Sequence, residues 1–132
     1  MTRLTMERII AADPLSTALL LTATPALEMW PGLELTGRRG PAVLARVDHA
    51  GELTPVEVVA LPPRRTTAAF VTDFRIRGGQ FAQTTGSLRL SYAPGGTRAT
   101  LSLDTPARAL EPPARRFLAR LARTAERRSS AA

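Results

Sequence analysis

The residue types that most often carry out chemistry are sparse in this chain. His49 is the single histidine and no cysteine occurs, which excludes thiol catalysis, disulfides and a metal site rich in histidine or cysteine. No serine lies in a G-x-S-x-G elbow, so the sequence does not favour a hydrolase nucleophile. His49 shares the parity of Val43 and Val47 and is a candidate general base, but it adjoins a turn, where histidines are usually solvated. We therefore predict no metal and no cofactor, and these residues do not favour an enzyme.

Arginines crowd the end of the chain. Seven lie between Arg108 and Arg128, against two acids, Glu111 and Glu126, and the formal net charge of the whole chain is +7. Such a surface attracts nucleic acid, acidic lipid or an acidic protein partner, so a charge-driven interaction is an alternative function. However, all 18 basic residues are arginine, and lysine and asparagine are absent, as is typical of GC-rich coding. Arginine then serves as the ordinary solvating cation, and the charge does not favour nucleic acid as the partner.

Length and composition predict one folded domain over residues 1–132. The hydrophobic share of 44% is ordinary for a globular protein. No stretch approaches the roughly 20 apolar residues that cross a bilayer. Residues 15–26 resemble the apolar region of a signal peptide. The segment before them contains Glu7 and Asp13 and therefore lacks the positive charge that precedes such a region. We therefore expect no membrane span and a cytoplasmic location.

The first part of the chain predicts a strand followed by short helices. Apolar and polar residues alternate over 2–10, which is the period of a strand with one solvated face. Asp13 and Pro14 then form a typical helix start, with the aspartate as N-cap and the proline in the first helical position. We expect two short helices, at about 14–22 and 25–29.

Six antiparallel strands joined by hairpin turns are predicted next. Their approximate spans are 33–36, 43–48, 56–60, 68–77, 87–92 and 98–103. The alternation is clearest in the fourth of these strands, where Phe70, Thr72, Phe74 and Ile76 share one face.

The last segment predicts one long amphipathic helix after Pro112 and Pro113. Its apolar residues fall within one arc of about 100° at helical spacing; they are Leu110, Ala114, Phe117, Leu118, Leu121 and Ala125. The far side carries the arginine row, defined as Arg116, Arg120, Arg123 and Arg127. An antiparallel sheet with one apolar face needs a cover, and this helix is the only long amphipathic element. We therefore predict an α+β fold in which a curved antiparallel sheet of about seven strands wraps around the C-terminal helix.

Four features of the chain together resemble a known superfamily. They are a leading strand followed by Ala11-Ala12-Asp13-Pro14, the segment TPALEMWPGLEL (24–35), the hairpin GSLRLSYAPGGTRATLSL (86–103) and the amphipathic C-terminal helix. This layout resembles the START-like, or SRPBCC, superfamily, the helix-grip fold of polyketide cyclases, plant lipid-binding allergens and lipid-transfer domains. The resemblance covers nearly the whole chain and includes no catalytic signature.

The resemblance implies an apolar cavity between the curved sheet and the C-terminal helix, which would bind a small hydrophobic or amphipathic molecule. The residues expected to line it are Trp30 at the rim, Phe70, Phe74, Leu88, Leu90 and Tyr92 from the sheet, and Phe117, Leu118 and Leu121 from the helix. The alternative is that these side chains simply fill the core, since apolar residues at strand and helix spacing are usually core. The chain is short for the superfamily, which favours a small cavity over one for a bulky lipid.

A second function compatible with the resemblance is a polyketide cyclase or aromatase. Such an enzyme would act mainly by confining a reactive chain and polarising a carbonyl with a few donors. Tyr92 and Trp30 are the available donors, whereas Arg89 has the opposite parity to Leu88 and Leu90. A homodimer through an exposed sheet edge or helix is compatible with each of these functions.

Overall fold

The computed structural model describes residues 2–23, 33–49, 51–81, 83–106 and 110–131. The strands are β1 (Thr2–Ile10), β2 (Leu33–Arg39), β3 (Ala42–His49), β4 (Glu52–Ala60), β5 (Arg64–Arg65), β6 (Ala69–Arg77), β7 (Thr84–Ala93) and β8 (Gly96–Thr105). The helices are α1 (Pro14–Ala23) and α2 (Glu111–Ala131), and a 3-10 turn covers Gly79–Phe81. The predicted second helix, 25–29, and Trp30 lie outside the described residues.

The strands form one antiparallel sheet in the order β1-β8-β7-β6-β4-β3-β2, with the short β5 added beside β6. The first strand crosses to pair with the last, so that β1 and β2 are the two edges. Four other pairs of neighbours are consecutive along the chain and pair through hairpins: β2–β3, β3–β4, β6–β7 and β7–β8. The predicted α+β, helix-grip architecture is therefore confirmed, and β5 is a strand that the alternation did not predict.

The start of α1 follows the predicted capping arrangement. The backbone N–H of Ser16 donates to Asp13 Oδ2 at 3.0 Å, and the Ser16 hydroxyl donates to Asp13 Oδ1 at 2.6 Å. An N-cap carboxylate satisfies a backbone donor that the first helical turn leaves unpaired. These two hydrogen bonds lower the pKa of Asp13 below its usual range, because they favour the ionised carboxylate.

Helix α2 buries the predicted apolar arc and exposes the arginine row. Phe117 is 7% exposed, Leu121 is fully buried, and all four arginines of the row are exposed. The helix packs mainly against β1, with further contacts to β8 and α1. Its Glu126 carboxylate accepts a hydrogen bond from the backbone N–H of Ala11 at 2.9 Å, which ties the helix to the β1–α1 connection. The arginines are therefore the solvated side of a helix whose other side is core.

Buried threonines satisfy one another or the backbone where the strands end. The Thr84 and Thr105 hydroxyls lie 2.8 Å apart in a buried pair, and the Thr97 hydroxyl donates to the Ala12 carbonyl at 2.6 Å. Such pairing removes most of the cost of burying a hydroxyl. These contacts fix the positions of β7, β8 and the connection after β1.

Candidate functional site

The site is a cavity that arises because α2 covers only part of the concave face of the sheet. The helix lies along β1 and β8, whereas β2, β3 and β4 extend beyond it at the other side of the sheet. The space between them is about 620 Å³, which lies within the range of pockets for small organic ligands. The sequence-based prediction of a hollow between the sheet and the last helix therefore agrees with the structure.

The walls of the cavity are almost entirely apolar. Eighteen of the twenty described lining residues have apolar side chains. They are Leu21, Leu33, Pro41, Val43, Val47, Val56, Val58, Ala60, Leu61, Pro62, Pro63, Phe74, Ile76, Phe81, Leu88, Leu101, Leu110 and Phe117. The other two described lining residues are Arg38 and Thr72. Water gains few hydrogen bonds against such walls, so an apolar molecule has an advantage over water inside.

The cavity opens toward solvent between the β2–β3 hairpin and the segment after β4. The lining residues Arg38, Pro41, Leu61 and Pro62 are exposed, whereas Val58 is only 2% exposed. Leu61 is 57% exposed although its side chain is large and apolar. The exposed members of the lining therefore form a mouth, and the buried members form an interior.

The residues that the sequence predicted for this cavity divide into three groups. Phe74, Leu88 and Phe117 line it. A second group packs in the core beside it: Leu90, Leu118 and Leu121 are buried, and Phe70 is half-buried against the core cluster. The core group holds the wall residues in place, because a buried side chain in a close-packed interior has little freedom to move.

Of the remaining predicted lining residues, Tyr92 does not line the described cavity, and Trp30 is not among the described residues. The inward orientation predicted for Tyr92 is wrong, because that side chain is 71% exposed at the end of β7, next to the β7–β8 hairpin. Arg89 is exposed, as its parity predicted. The backbone of His49 ends β3 opposite Glu52; its side chain, like Trp30, lies outside the described part of the structure.

A close contact between strands sets the position of Phe74. Gly86 lies directly opposite Phe74 on β6 and Leu103 on β8. A Cβ atom at Gly86 would lie 2.5 Å from Phe74 Cζ and 2.8 Å from Leu103 Cδ2, well inside the ordinary contact distance of about 3.5–4.0 Å. The absence of a side chain at Gly86 therefore lets the phenyl ring lie back against the sheet and keeps it from filling the cavity.

A β-bulge turns Arg38 toward the cavity. Leu35 pairs with Ala45, but the register shifts after it, so that Arg38 pairs with Val43. Directly opposed residues of an antiparallel pair share a face, and Val43 is a wall residue. Without the extra residue of the bulge, Arg38 would have the parity of Glu34 and would face outward. The next residue, Arg39, does face outward, and it forms an ion pair with Glu57 at 3.3 Å.

Thr72 places a hydroxyl in the cavity wall without a hydrogen-bond partner. Its Oγ1 atom is buried and makes no hydrogen bond to any described residue. An unpaired buried hydroxyl costs about 1–3 kcal/mol, so the Thr72 hydroxyl lowers the free energy of unfolding of the protein.

Sequence reasoning missed several wall residues, and only some of them carry a signal. Phe81 is 1% exposed and lies in the 3-10 turn after Gly78 and Gly79, where its backbone N–H donates to the Gly78 carbonyl at 2.9 Å. The sequence GGQF marks a turn but does not show where the following ring points. Val43 and Val47 of β3 and Val56 and Val58 of β4 were predictable as one apolar face, but only the position of α2 shows that this face borders a cavity.

The described part of the chain contains neither a cluster of metal ligands nor a membrane-spanning helix. Across its described ranges, no group of three or more histidine, cysteine, aspartate or glutamate side chains is arranged to hold a metal ion. Neither α1 nor α2 combines the length and the apolar character needed to cross a bilayer.

The fold is shared with several solved structures. The Zhui aromatase/cyclase from Streptomyces sp. R1128 superposes with a TM-score of 0.66 at 15% identity, covering 97% of this chain and 95% of that one. A START superfamily protein from Mycobacterium smegmatis gives a TM-score of 0.59 at 18% identity, covering 96% and 94%. Ara h 8.0201 gives a TM-score of 0.56 at 10% identity and 99% coverage of both chains.

Sequence comparison alone finds none of these similarities. No protein-family model and no curated protein matches the chain. The similarity therefore rests on the strand order, the wrapped helix and nearly full coverage in both directions. From this architecture, the chain has the START-like helix-grip fold.

Proposed function

We propose that the protein binds a small hydrophobic or amphipathic molecule in the cavity between the curved sheet and α2. The observation that carries the proposal is the cavity itself, about 620 Å³ within walls that are apolar at all but two of the described positions. The similarity of the fold to a START superfamily protein and to the Zhui aromatase/cyclase supports the same function. Phe74, Leu88 and Phe117 are the sequence-predicted residues that would touch the ligand.

The expected affinity follows from the apolar surface that a ligand can bury. About 300 Å² of buried apolar surface contributes about 7 kcal/mol at about 25 cal/mol per Å². Lost translational and rotational freedom offsets part of that gain. We therefore expect dissociation constants weaker than about 10 µM, toward the millimolar range, for simple apolar ligands.

The experiment that tests this proposal is native mass spectrometry of freshly purified protein, combined with a variant that fills the cavity. Val47→Phe enlarges a wall residue, and Asp48→Phe, its neighbour on the exposed face of β3, is the matched control. We expect a carried-over small molecule on the wild type and on Asp48→Phe, but not on Val47→Phe. Equal occupancy of all three proteins would place any bound molecule outside the cavity and would contradict the proposal.

A second candidate function is cyclisation of a reactive chain by confinement, and the similarity to the Zhui aromatase/cyclase favours it. Arg38 and Thr72 would be the donors that polarise a carbonyl, in place of Tyr92, which is exposed. The test is incubation of the protein with a linear poly-β-ketone thioester and measurement of the aromatic product by absorbance. A rate equal to that of the buffer alone, or of Val47→Phe, would refute this candidate without affecting the binding function.

A further inference from the structure

We infer that the cavity selects amphipathic monocarboxylic acids, with the apolar body of the ligand inside and its carboxylate at Arg38. This inference rests on the proposed binding function and adds the chemical class of the ligand. It is carried by the position of one arginine at the mouth of an otherwise apolar cavity.

Arg38 is the only charged residue among the described residues that line the cavity. It reaches this face through the bulge in β2 and through its pairing with Val43. It is also exposed, so its side chain contacts water, whereas Val58 and Leu88 are buried in the interior of the cavity. A ligand that matches this arrangement has its polar group at one end and an apolar remainder.

The guanidinium of Arg38 also has no partner within the described residues, neither in an ion pair nor in a hydrogen bond. Two nearby arginines of β2 and β3 are engaged: Arg39 pairs with Glu57 at 3.3 Å, and Arg46 pairs with Glu34 at 3.6 Å. A carboxylate would therefore meet a donor that is not already engaged. Guanidinium and carboxylate groups match in geometry and form two parallel charge-assisted hydrogen bonds.

The position of Arg38 at the mouth determines whether the cavity prefers an acid or an alcohol, and by how much. An anion deep in an apolar cavity would lose its hydration at a large cost. At Arg38 the carboxylate keeps part of its hydration and gains the cation, so binding of the acid is favoured over binding of the matching alcohol. A charge-assisted contact at such a partly exposed position raises the affinity by about five- to tenfold.

The experiment compares sodium decanoate with 1-decanol by isothermal titration calorimetry at about pH 8, where a carboxyl group is ionised. The two probes share one apolar chain and differ only in the end group. The variants are Arg38→Gln and, as a matched control, Arg39→Gln, which removes the same charge from the neighbouring residue on the opposite face. We expect the wild type and Arg39→Gln to prefer decanoate by about five- to tenfold, and Arg38→Gln to bind both probes equally.

The possible results test the selection of acids by Arg38 independently of the proposed binding function. If the wild type binds decanol as tightly as decanoate, or if Arg39→Gln loses the preference as completely as Arg38→Gln, the selection of acids by Arg38 is refuted while the cavity remains a binding site. If neither probe binds the wild type, the binding of simple amphipathic chains is itself refuted. Unchanged decanol binding by Arg38→Gln shows that the variant is folded and that only the acid contact is lost.

Discussion

Replacing Gly86 with alanine tests how the sheet keeps the cavity open. The added Cβ would lie 2.5 Å from Phe74 Cζ, 2.8 Å from Phe74 Cε2 and 2.8 Å from Leu103 Cδ2. Leu103 is fully buried and has no room to retreat, whereas Phe74 is half-buried and borders the cavity. We therefore expect the phenyl ring to move by about 1 Å into the cavity to restore ordinary contact distances.

The expected change in the free energy of unfolding follows from comparison with Gly37, another glycine that lies within a strand. Forcing an extra methyl group into a packed contact costs about 1–3 kcal/mol. A Cβ at Gly37 would meet no atom within 4 Å, and neither glycine has a positive φ. Gly37→Ala should therefore stabilise the protein slightly, by about 0.4–1 kcal/mol, because alanine restricts the unfolded chain. The two variants should differ by about 2 kcal/mol.

The assay is thermal and urea denaturation of both variants beside the wild type, followed by decanoate titration. A difference of about 2 kcal/mol corresponds to a Tm gap of roughly 5–10 °C in a domain of this size. Gly86→Ala should also bind decanoate more weakly than Gly37→Ala, because the displaced ring occupies ligand volume. If Gly86→Ala is as stable as Gly37→Ala and binds decanoate equally well, Phe74 does not pack against Gly86 and the reasoning fails.

Substitutions at three other positions give separate outcomes. Thr72→Val should raise the free energy of unfolding by about 1 kcal/mol, because it removes a buried hydroxyl without a partner; an unchanged or lower Tm would mean that the hydroxyl is bonded in solution. The pKa of Asp13 is lower in the folded protein than in the unfolded chain, where it is about 3.9. The cap therefore stabilises α1 fully at pH values above the unfolded-state pKa, and this contribution is lost as the pH falls through the folded-state pKa. Asp13→Asn should then match the wild type in urea denaturation at neutral pH and should lose less stability than the wild type in acid. Asp13→Ala removes the cap and should cost about 1 kcal/mol at neutral pH. Equal acid sensitivity of Asp13→Asn and the wild type would contradict the capping role. Phe117→Ala should cost about 3 kcal/mol or more in urea denaturation, since the ring is 7% exposed between the core and the cavity; an unchanged midpoint would place the ring in solvent.

The fold could be predicted because its main signals are local and periodic. The alternation in β6, with Thr72, Phe74 and Ile76 on one face, is visible without knowledge of any pairing, and these three residues do share the cavity wall. The same holds for the apolar arc of α2, which is buried, and for the cap at Asp13, which requires only adjacent residues. Each signal depends on the chain within a few residues.

The division between wall and core could not be predicted in this way. Leu88 and Leu90 have the same parity on β7, yet one borders the cavity and the other packs in the core. Helix α1 packs on β6, β7 and β8 and covers only part of the sheet. Tyr92 continues the same parity but lies at the strand end, where the alternation no longer determines burial. These outcomes depend on where the helix lies over the sheet, which no local pattern specifies.

Arg38 was missed for a related reason. The predicted strand ended at residue 36 and left Arg38 in the turn that follows. Extending the alternation of Leu33 and Leu35 would assign it to the outer face, and only the pairing of β2 with β3 reveals the extra residue that reverses this orientation. A bulge depends on two strands at once, so it leaves no clear mark in one of them. The most specific feature of the candidate site was therefore the least visible in the sequence.

Methyl NMR of the protein titrated with sodium decanoate tests the binding cavity most directly. Val43, Val58 and Leu101 line the interior, whereas Leu15 and Leu53 are exposed elsewhere and serve as internal controls. We predict saturable shifts and ligand-to-methyl nuclear Overhauser contacts at the first three residues and none at the two controls. Shifts confined to Leu15 and Leu53, or an unperturbed interior at saturating decanoate, would contradict a ligand bound between the sheet and the last helix.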